Sequence, residues 1–218
     1  NDFTYNIEAP KQIAKHQKLT LRYFKSFENN TKLELGYNFQ NNKRKEFDIR
    51  RGGRTGIPVV DLLLKTHTLN GSLSGIDIKN WNFELGLNGL FQDNFSTPDT
   101  GVKRLIPDYI KFETGIYFLG NFQKSNAFLW EWGLRLDHVS YDSKKYYYKS
   151  VWNERNYNIL FKGFETGQDF ANQILTNPKF NYLNVSAQTG ASLNISSELK
   201  FKISYILSQR APNPSELF

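Results

Sequence analysis

The sequence predicts an all-β fold: an antiparallel, up-and-down transmembrane β-barrel, here as an open stretch of about eight strands. Polar and apolar residues alternate along the strands without a break on either face. The connections alternate between tight turns and long loops. Aromatic residues make up 16% of the chain, with 18 Phe, 12 Tyr and 4 Trp, whereas the longest aliphatic run is only Leu62, Leu63, Leu64. Successive side chains of a strand point to opposite faces, so a period of two gives one apolar and one polar face. A soluble domain of this length would also contain strands apolar throughout. A barrel instead sets lipid against one face, a wet lumen against the other, and aromatic girdles at the two interfaces.

The first strand is read at 17–25 and reverses through Phe27, Glu28, Asn29 and Asn30, where Asn supplies turn geometry. The second, 32–47, sets Leu33, Leu35, Tyr37 and Phe39 against Glu34, Gly36, Asn38 and Gln40. In the third, 60–74, two phases compete: Leu62, Leu64, Thr66 and Leu63, Lys65, His67, Leu69. A bulge there would reconcile them. Gly75, Ile76, Asp77 and Ile78 read as the next turn. The fourth strand, 80–93, opposes Trp81, Phe83, Leu85 and Leu87 to Asn82, Glu84, Gly86 and Asn88. The fifth, 109–122, opposes Ile110, Phe112, Thr114, Ile116 and Phe118 to Lys111, Glu113, Gly115 and Tyr117. After a turn at 123–126, the sixth, 127–148, opposes Phe128, Trp130, Trp132, Leu134 and Leu136 to Glu131, Gly133, Arg135 and Asp137. The connection 149–181 is expected to hold a short helix near 165–175, because Phe170, Ile174 and Leu175 sit at helical spacing. The seventh strand, 182–195, alternates from Leu183 to Leu193, turns at Ser196 and Ser197, and leads to the eighth at 199–208.

This pattern assigns faces. Trp81, Phe83, Leu85, Phe112, Ile116, Trp130, Trp132, Val185 and Phe201 belong on the lipid side; Glu84, Asn88, Glu113, Glu131, Arg135, Gln188 and Lys202 belong on the lumen side. A charge costs little in a wet lumen but about 2–4 kcal/mol on the lipid face at mid-membrane.

Composition excludes other classes. With no Cys there is neither a disulfide framework nor a thiolate metal site. No run is long and apolar enough for a membrane-spanning helix. The net charge of +7 is spread through strands and loops, with no basic helix or RNA-binding signature, so no nucleic-acid partner is expected. The chain has no Met and no leader at Asn1, and is expected to begin inside a longer product.

Loop length sorts by side. The long connections 48–59, 94–108 and 149–181 alternate with the tight turns, as extracellular loops alternate with periplasmic turns in outer-membrane barrels. With the tight turns periplasmic, the first strand starts outside and the eighth ends outside. A complete bacterial barrel has both termini in the periplasm, so an internal slice of a larger barrel is expected. Residues 210–218 carry Pro212 and Pro214 and cannot form a central strand.

Several motifs carry a family resemblance. The run Ser208 to Phe218, with Arg210, Pro212, Glu216, Leu217 and Phe218, resembles the Arg-x-Pro…Glu-Leu-Phe segment of TonB-dependent outer-membrane receptors. Leu105-Ile106-Pro107-Asp108-Tyr109 leading into a strand is similar, and Trp132-Gly133-Leu134-Arg135-Leu136-Asp137 resembles the family's Gly-Leu-Arg-x-Asp strand. Residues 44–53 and Thr66-His67-Thr68-Leu69 resemble the Bacteroidetes branch. The resemblance covers nearly the whole chain but only the barrel of the family. It implies one stretch, 1–218, of a barrel of about 22 strands plugged by a globular domain. The plug, its TonB-contact motif and the remaining strands would lie outside this chain. It further implies a receptor in the outer membrane of a Gram-negative bacterium, surrounded by lipid and lipopolysaccharide. Such a receptor imports a ferric siderophore, haem, cobalamin or glycan with energy coupled through TonB.

Candidate binding residues are few. Arg50, Arg51 and Arg54 fall in the first long loop among Gly52, Gly53 and Gly56. Such a loop can bind an anionic ligand through bidentate contacts to carboxylates, or be solvated, or touch lipopolysaccharide phosphates. Tyr146, Tyr147, Tyr148, Trp152 and Tyr157 open the longest loop. They can stack on a sugar or aromatic ligand, or form the outer girdle or the loop's own packing. Residues 210–218 read as structural: Pro212 and Pro214 fix the chain leaving the strand, Arg210 pairs with a wall carboxylate, and Leu217 and Phe218 re-enter the wall. His16, His67 and His138 lie far apart, and His67 is expected to face the lumen as a lining residue, so no metal or cofactor site is expected. Ser72, His67 and Asp137 lack any motif that would make them a catalytic set, so the chain is not expected to be an enzyme. Two other functions stay open. One is a passive porin-like or lipid-transport barrel without a plug. The other is a secreted adhesin or lectin burying Trp81, Phe83, Leu85 and Leu87 between two sheets.

Overall fold

The computed structural model describes residues 10–101 and 106–217, with the backbone alone at 50–52 and 170. Its ten strands form one open sheet. Strands β1 (Lys11–Ser26), β2 (Lys32–Phe47), β3 (Val60–Ile78), β4 (Trp81–Ser96), β5 (Asp108–Ser125) and β6 (Phe128–Tyr148) each pair antiparallel with the next. A small hairpin, β7 (Glu165–Phe170) and β8 (Gln173–Thr176), joins the far end of β6. Strand β9 (Lys179–Asn194) pairs with the rest of β6, and β10 (Lys200–Leu207) pairs with β9. The eight strands read from the sequence are therefore β1 to β6, β9 and β10, an up-and-down meander left open at β1 and β10.

The additional hairpin replaces the helix expected near 165–175. Strand β6 overshoots its partner β9 and leaves a free edge from Lys145 to Tyr148, which β8 fills. Its backbone hydrogen bonds are worth more than the helical spacing of Phe170, Ile174 and Leu175, and the positive φ of Gly167 (73°) and Ala171 (47°) is incompatible with a helix across that span. The connection's helices lie earlier, at α1 (Lys149–Glu154) and α2 (Tyr157–Leu160).

The tight turns lie at one end of the sheet and the long connections at the other. At 27–31, Phe27 N–H donates to Thr31 O (2.8 Å) and Asn30 takes φ 65°. Strand β3 runs through Gly75 to Ile78, beyond its expected end, and turns at Lys79 (φ 57°) and Asn80. A register shift between Leu73 and Ile76 absorbs Gly75 (φ 70°) as a bulge. Strand β5 likewise extends to Ser125, so its turn is tighter than 123–126.

Register fixes the faces. One row runs Tyr23, Leu35, Gly71, Leu87, Ile116, Leu136, Val185 across neighbouring strands. The adjacent row, on the opposite face, runs Arg22, Gly36, Asn70, Asn88, Gly115, Asp137, Asn184. Every residue assigned to lipid or lumen from the sequence falls on its expected face. The phase of β3 is settled by its neighbours: Leu63, Lys65, His67 and Leu69 join the apolar face with Phe39 and Phe91. The apolar face is uncovered, with Leu87 52%, Ile116 52% and Leu134 54% exposed. No second sheet packs on it among the described residues, so Trp81, Phe83, Leu85 and Leu87 do not lie between two sheets here.

The apolar face is bounded by aromatic residues. Near the tight turns, Trp81 packs against Phe83, Phe122 and Trp130 with ring centroids 5.6, 4.9 and 5.6 Å away. Towards the long loops stand Phe39, His67, Phe91 and Phe112, side by side in register. From Trp81 to Phe91 is 91 − 81 = 10 steps along β4. At about 3.3 Å per step and a barrel tilt near 40°, this spans about 25 Å, the height of an outer-membrane hydrocarbon band.

Candidate functional site

The polar face carries a continuous hydrogen-bonded wall. At its centre Arg135 of β6 sends Nε to Asp137 Oδ2 (2.7 Å) and Nη2 to Asp137 Oδ1 (2.6 Å) and Asn88 Oδ1 (2.7 Å). Arg135 and Asp137 lie two positions apart on one strand face, so the fork and the carboxylate are presented side by side. Gly115 of β5 lies between Asn88 and Asp137 in register, and its missing side chain makes room for the cluster. Beside it, Tyr117 donates to Glu84 Oε1 (2.7 Å), with its ring over Gly86. Towards the loops, Lys111 pairs with Glu113 (2.9 Å), and Tyr109 donates to Gln92 (2.7 Å), whose amide donates to Thr66 (3.1 Å). These polar groups satisfy one another and leave a wettable surface. An open groove of about 470 Å³ runs over Tyr117, Arg135, Asp137, Ser186, Gln188 and Gln209.

The segment after β10 folds onto this same face. Gln209 Oε1 accepts from Val185 N–H (3.1 Å), and Pro212 O accepts from the Tyr141 hydroxyl (3.0 Å). Ala211 and Leu217 pack on Tyr109, Val139 and Tyr141, a small buried apolar cluster. The pairing of Arg210 with a wall carboxylate, expected from the sequence, does not form. Instead its two Nη groups grip Glu216 of its own segment at 2.8 Å each, and Glu216 Oε2 also accepts Asn213 N–H (2.7 Å). These contacts hold the Glu216 carboxyl down at about 2. The re-entry into the wall expected of Leu217 is an inward fold, because Pro212 and Pro214 end the ladder and the inner face offers apolar contact. Phe218 and Leu105 lie outside the described residues.

The long loops carry the other candidates. Arg54 ends a 3-10 segment, Ile49–Arg54, and its guanidinium lies against Gly101 (φ 64°) of the next long loop. The side chains of Arg50 and Arg51 lie outside the described residues. Tyr148 is exposed at the head of the longest loop. Trp152 is buried: its indole N–H donates to Glu165 Oε1 (2.8 Å), and its ring packs on Tyr147 (5.0 Å) and Tyr157 (5.4 Å). From there Phe161, Phe164, Phe180 and Tyr182 continue an aromatic ladder down to the inner wall. The structure thus sets Arg54 and Tyr148 on separate loops at one end and gives Trp152 the packing of its loop.

His67 faces outward, not towards the lumen: its Nδ1 is hydrogen-bonded to the Tyr37 hydroxyl (2.8 Å) and its ring lies 4.8 Å from Phe39. The parity of β3 decides this, and the sequence leaves that parity open. Ser72 and Asp137 share the polar face, so His67 is on the wrong side of the sheet to join them in catalysis. Arg135 and Asp137 stand out in the sequence as parts of the Gly-Leu-Arg-x-Asp run, but nothing there joins them to Asn88 and Gly115. Only the cross-strand register brings it together.

Among solved structures, the chain is similar to the ferric-catecholate import receptor Fiu from E. coli K12 in its open form. The TM-score is 0.66 at 12% identity, over 93% of this chain and 36% of that one. It is similar to the copper transporter OprC, with a TM-score of 0.64 at 14% identity, over 94% of this chain and 32% of the other. It also resembles the alcaligin outer-membrane receptor FauA from Bordetella pertussis, at 0.55 and 13% identity, over 85% and 27%. The chain spans about a third of the length of these structures. No family model and no curated protein sequence matches it. The likeness is therefore one of fold: the sheet is that of a stretch of outer-membrane barrel wall.

Proposed function

We propose that the chain is part of the barrel wall of a TonB-dependent receptor in the outer membrane of a Gram-negative bacterium. Within the whole receptor, a plug domain and further strands complete the barrel, and TonB supplies energy for importing a scarce small molecule. The observation that carries this reading is the segregation of faces by register: an uncovered apolar face about one hydrocarbon band high, backed by a hydrogen-bonded polar wall. The likeness to an import receptor for ferric catecholate, a copper transporter and a receptor for alcaligin supports transport over catalysis. Lipid and lipopolysaccharide would cover the apolar face. The ligand would enter past the long loops, where Arg50, Arg51 and Arg54 suit an anionic group and the exposed Tyr148 suits a planar one. A ferric siderophore fits that pairing of charge and ring.

Disrupting the gene that encodes this chain, then measuring uptake of labelled ferric siderophores with and without a protonophore, tests the proposal. Uptake that depends on both the gene and the proton-motive force is expected. Gene-dependent uptake that persists under the protonophore would indicate a passive barrel instead.

A further inference from the structure

The segment after β10 carries its own shape. Arg210 grips Glu216 through both Nη groups at 2.8 Å, and Asn213 N–H donates to Glu216 Oε2 (2.7 Å). Glu216 N–H donates in turn to Asn213 O (2.9 Å), at the start of the helical turn Pro214–Leu217. Pro212 and Pro214 fix φ at two positions in between. All of these contacts lie inside 210–217, so they hold whether or not the segment touches the wall. Its root is fixed separately. Gln209 N–H donates to Ser186 Oγ (3.4 Å), and Gln209 Oε1 accepts Val185 N–H (3.1 Å), both on β9. The backbone between this root and the clip is where the segment can pivot.

The other end rests on a seat that register builds. The Tyr141 hydroxyl donates to Pro212 O (3.0 Å), and Ala211 and Leu217 pack on Tyr109, Val139 and Tyr141. On β9, Phe180 stands directly opposite Tyr141 and Tyr182 opposite Val139, and both pack against the same cluster. Phe180 also carries Phe164 of the longest connection, with ring centroids 5.7 Å apart. One apolar cluster thus holds both the segment after β10 and the longest loop. Side chains that share a cluster are not energetically independent, because each supplies part of its neighbours' packing.

We infer that residues 208–217 form a hinged strap that docks and undocks as one body, and that its docking is coupled to the seating of the longest loop through Tyr141 and Phe180. The inference rests on the barrel reading above for the strap's place in the lumen. There, strap and loop cover the outer end of the wall together and uncover it together.

The test uses the full-length receptor, recovered from outer membranes and placed in lipid discs. A nitroxide is attached to a cysteine introduced at an exposed position of the strap, Ser215→Cys, or of the loop, Asn158→Cys, in a background with no other cysteine. Tyr141→Phe keeps the ring and deletes the hydroxyl. It should raise the ratio of mobile to immobile strap label about fivefold, and Leu217→Ala should raise it about tenfold. The loop label should answer the same two substitutions by at least about twofold. By reciprocity, Phe180→Ala should free the strap label as well as the loop label. The Glu216 carboxyl should keep its midpoint of about 2 in Leu217→Ala, since the clip travels with the strap. A strap label that stays immobile in both variants, or a Glu216 midpoint that climbs on undocking, overturns the hinged strap. A loop label indifferent to both overturns the coupling. Heat-modifiable gel mobility identifies the variants that fold, and Tyr141→Phe carries the test if Leu217→Ala does not. A folded outer-membrane barrel whose two labels move independently defeats only this inference, whereas a protein absent from the outer membrane defeats the barrel reading and the strap's place in a lumen with it.

Discussion

At Gly115 the inner wall has no room for a side chain. A Cβ there would collide with the Asp137 carboxylate and the Asn88 amide, and both are held in place by Arg135. Gly115→Ala should therefore cost about 1–3 kcal/mol, read as a lower denaturant midpoint for the whole barrel. Gly36 sits in the same polar row, and a methyl group added there would meet nothing within 4 Å. Gly36→Ala should change stability by no more than about 0.5 kcal/mol. A second residue-scale expectation concerns Glu216. Its carboxyl ordinarily titrates near 4.5 and is lowered to about 2 by the Arg210 fork and the Asn213 N–H. A lowered carboxyl stabilises the segment above its ordinary value and loses that contribution as pH falls from about 4.5 through about 2. Carbon chemical shifts of Glu216 followed against pH should show the low midpoint in the wild type and a return towards 4.5 in Arg210→Gln.

A strand has two faces with different solvents, so the same substitution has different costs on each. Leu134 and Gln188 lie on adjacent strands, β6 and β9, on opposite faces. Leu134→Arg should weaken folding into lipid vesicles by about 2–4 kcal/mol, and Gln188→Arg by far less, measured by equilibrium unfolding in the two variants. The connections should differ in the same way. On intact cells, trypsin should cut the exposed loop around Arg155 and Lys162 but spare Lys124 in its tight turn, because the proposed topology sends only the long connections outward. Cleavage at Lys124 alone would invert the topology.

In the proposed barrel, the sheet as a whole needs neighbours on both sides. Among the described residues, strands β1 and β10 each have one unpaired edge, and in lipid every unpaired N–H or C=O costs several kcal/mol. Residues 1–218 expressed alone should aggregate or require detergent, and should bind no ligand with useful affinity, since a lumen site needs the opposite wall. Light scattering of detergent-free material checks this. A monodisperse monomer that binds a ligand tightly would mean the open sheet is self-sufficient.

Much of this architecture can be read from residue order alone, because a β-strand carries its environment in a period of two. Trp130, Trp132, Leu134 and Leu136 identify a lipid-facing side without knowledge of any neighbour, and the Asn, Gly and Ser clusters mark the reversals. What requires tertiary structure is whatever depends on which strand lies beside which. The parity of β3 is ambiguous in sequence because Leu62, Leu63 and Leu64 satisfy either phase; pairing with Phe39 and Phe91 chooses, and turns His67 outward. The hairpin at 165–176 exists because β6 overshoots β9 and offers an edge, a fact absent from its own residues. Arg210 finds Glu216 because the prolines bend its segment back. The polar cluster joins Arg135 and Asp137 to Asn88 and Gly115, which lie far from them in the chain. Local sequence specifies the face that a side chain occupies, whereas register alone specifies its cross-strand neighbours, and the polar wall is made of such neighbours.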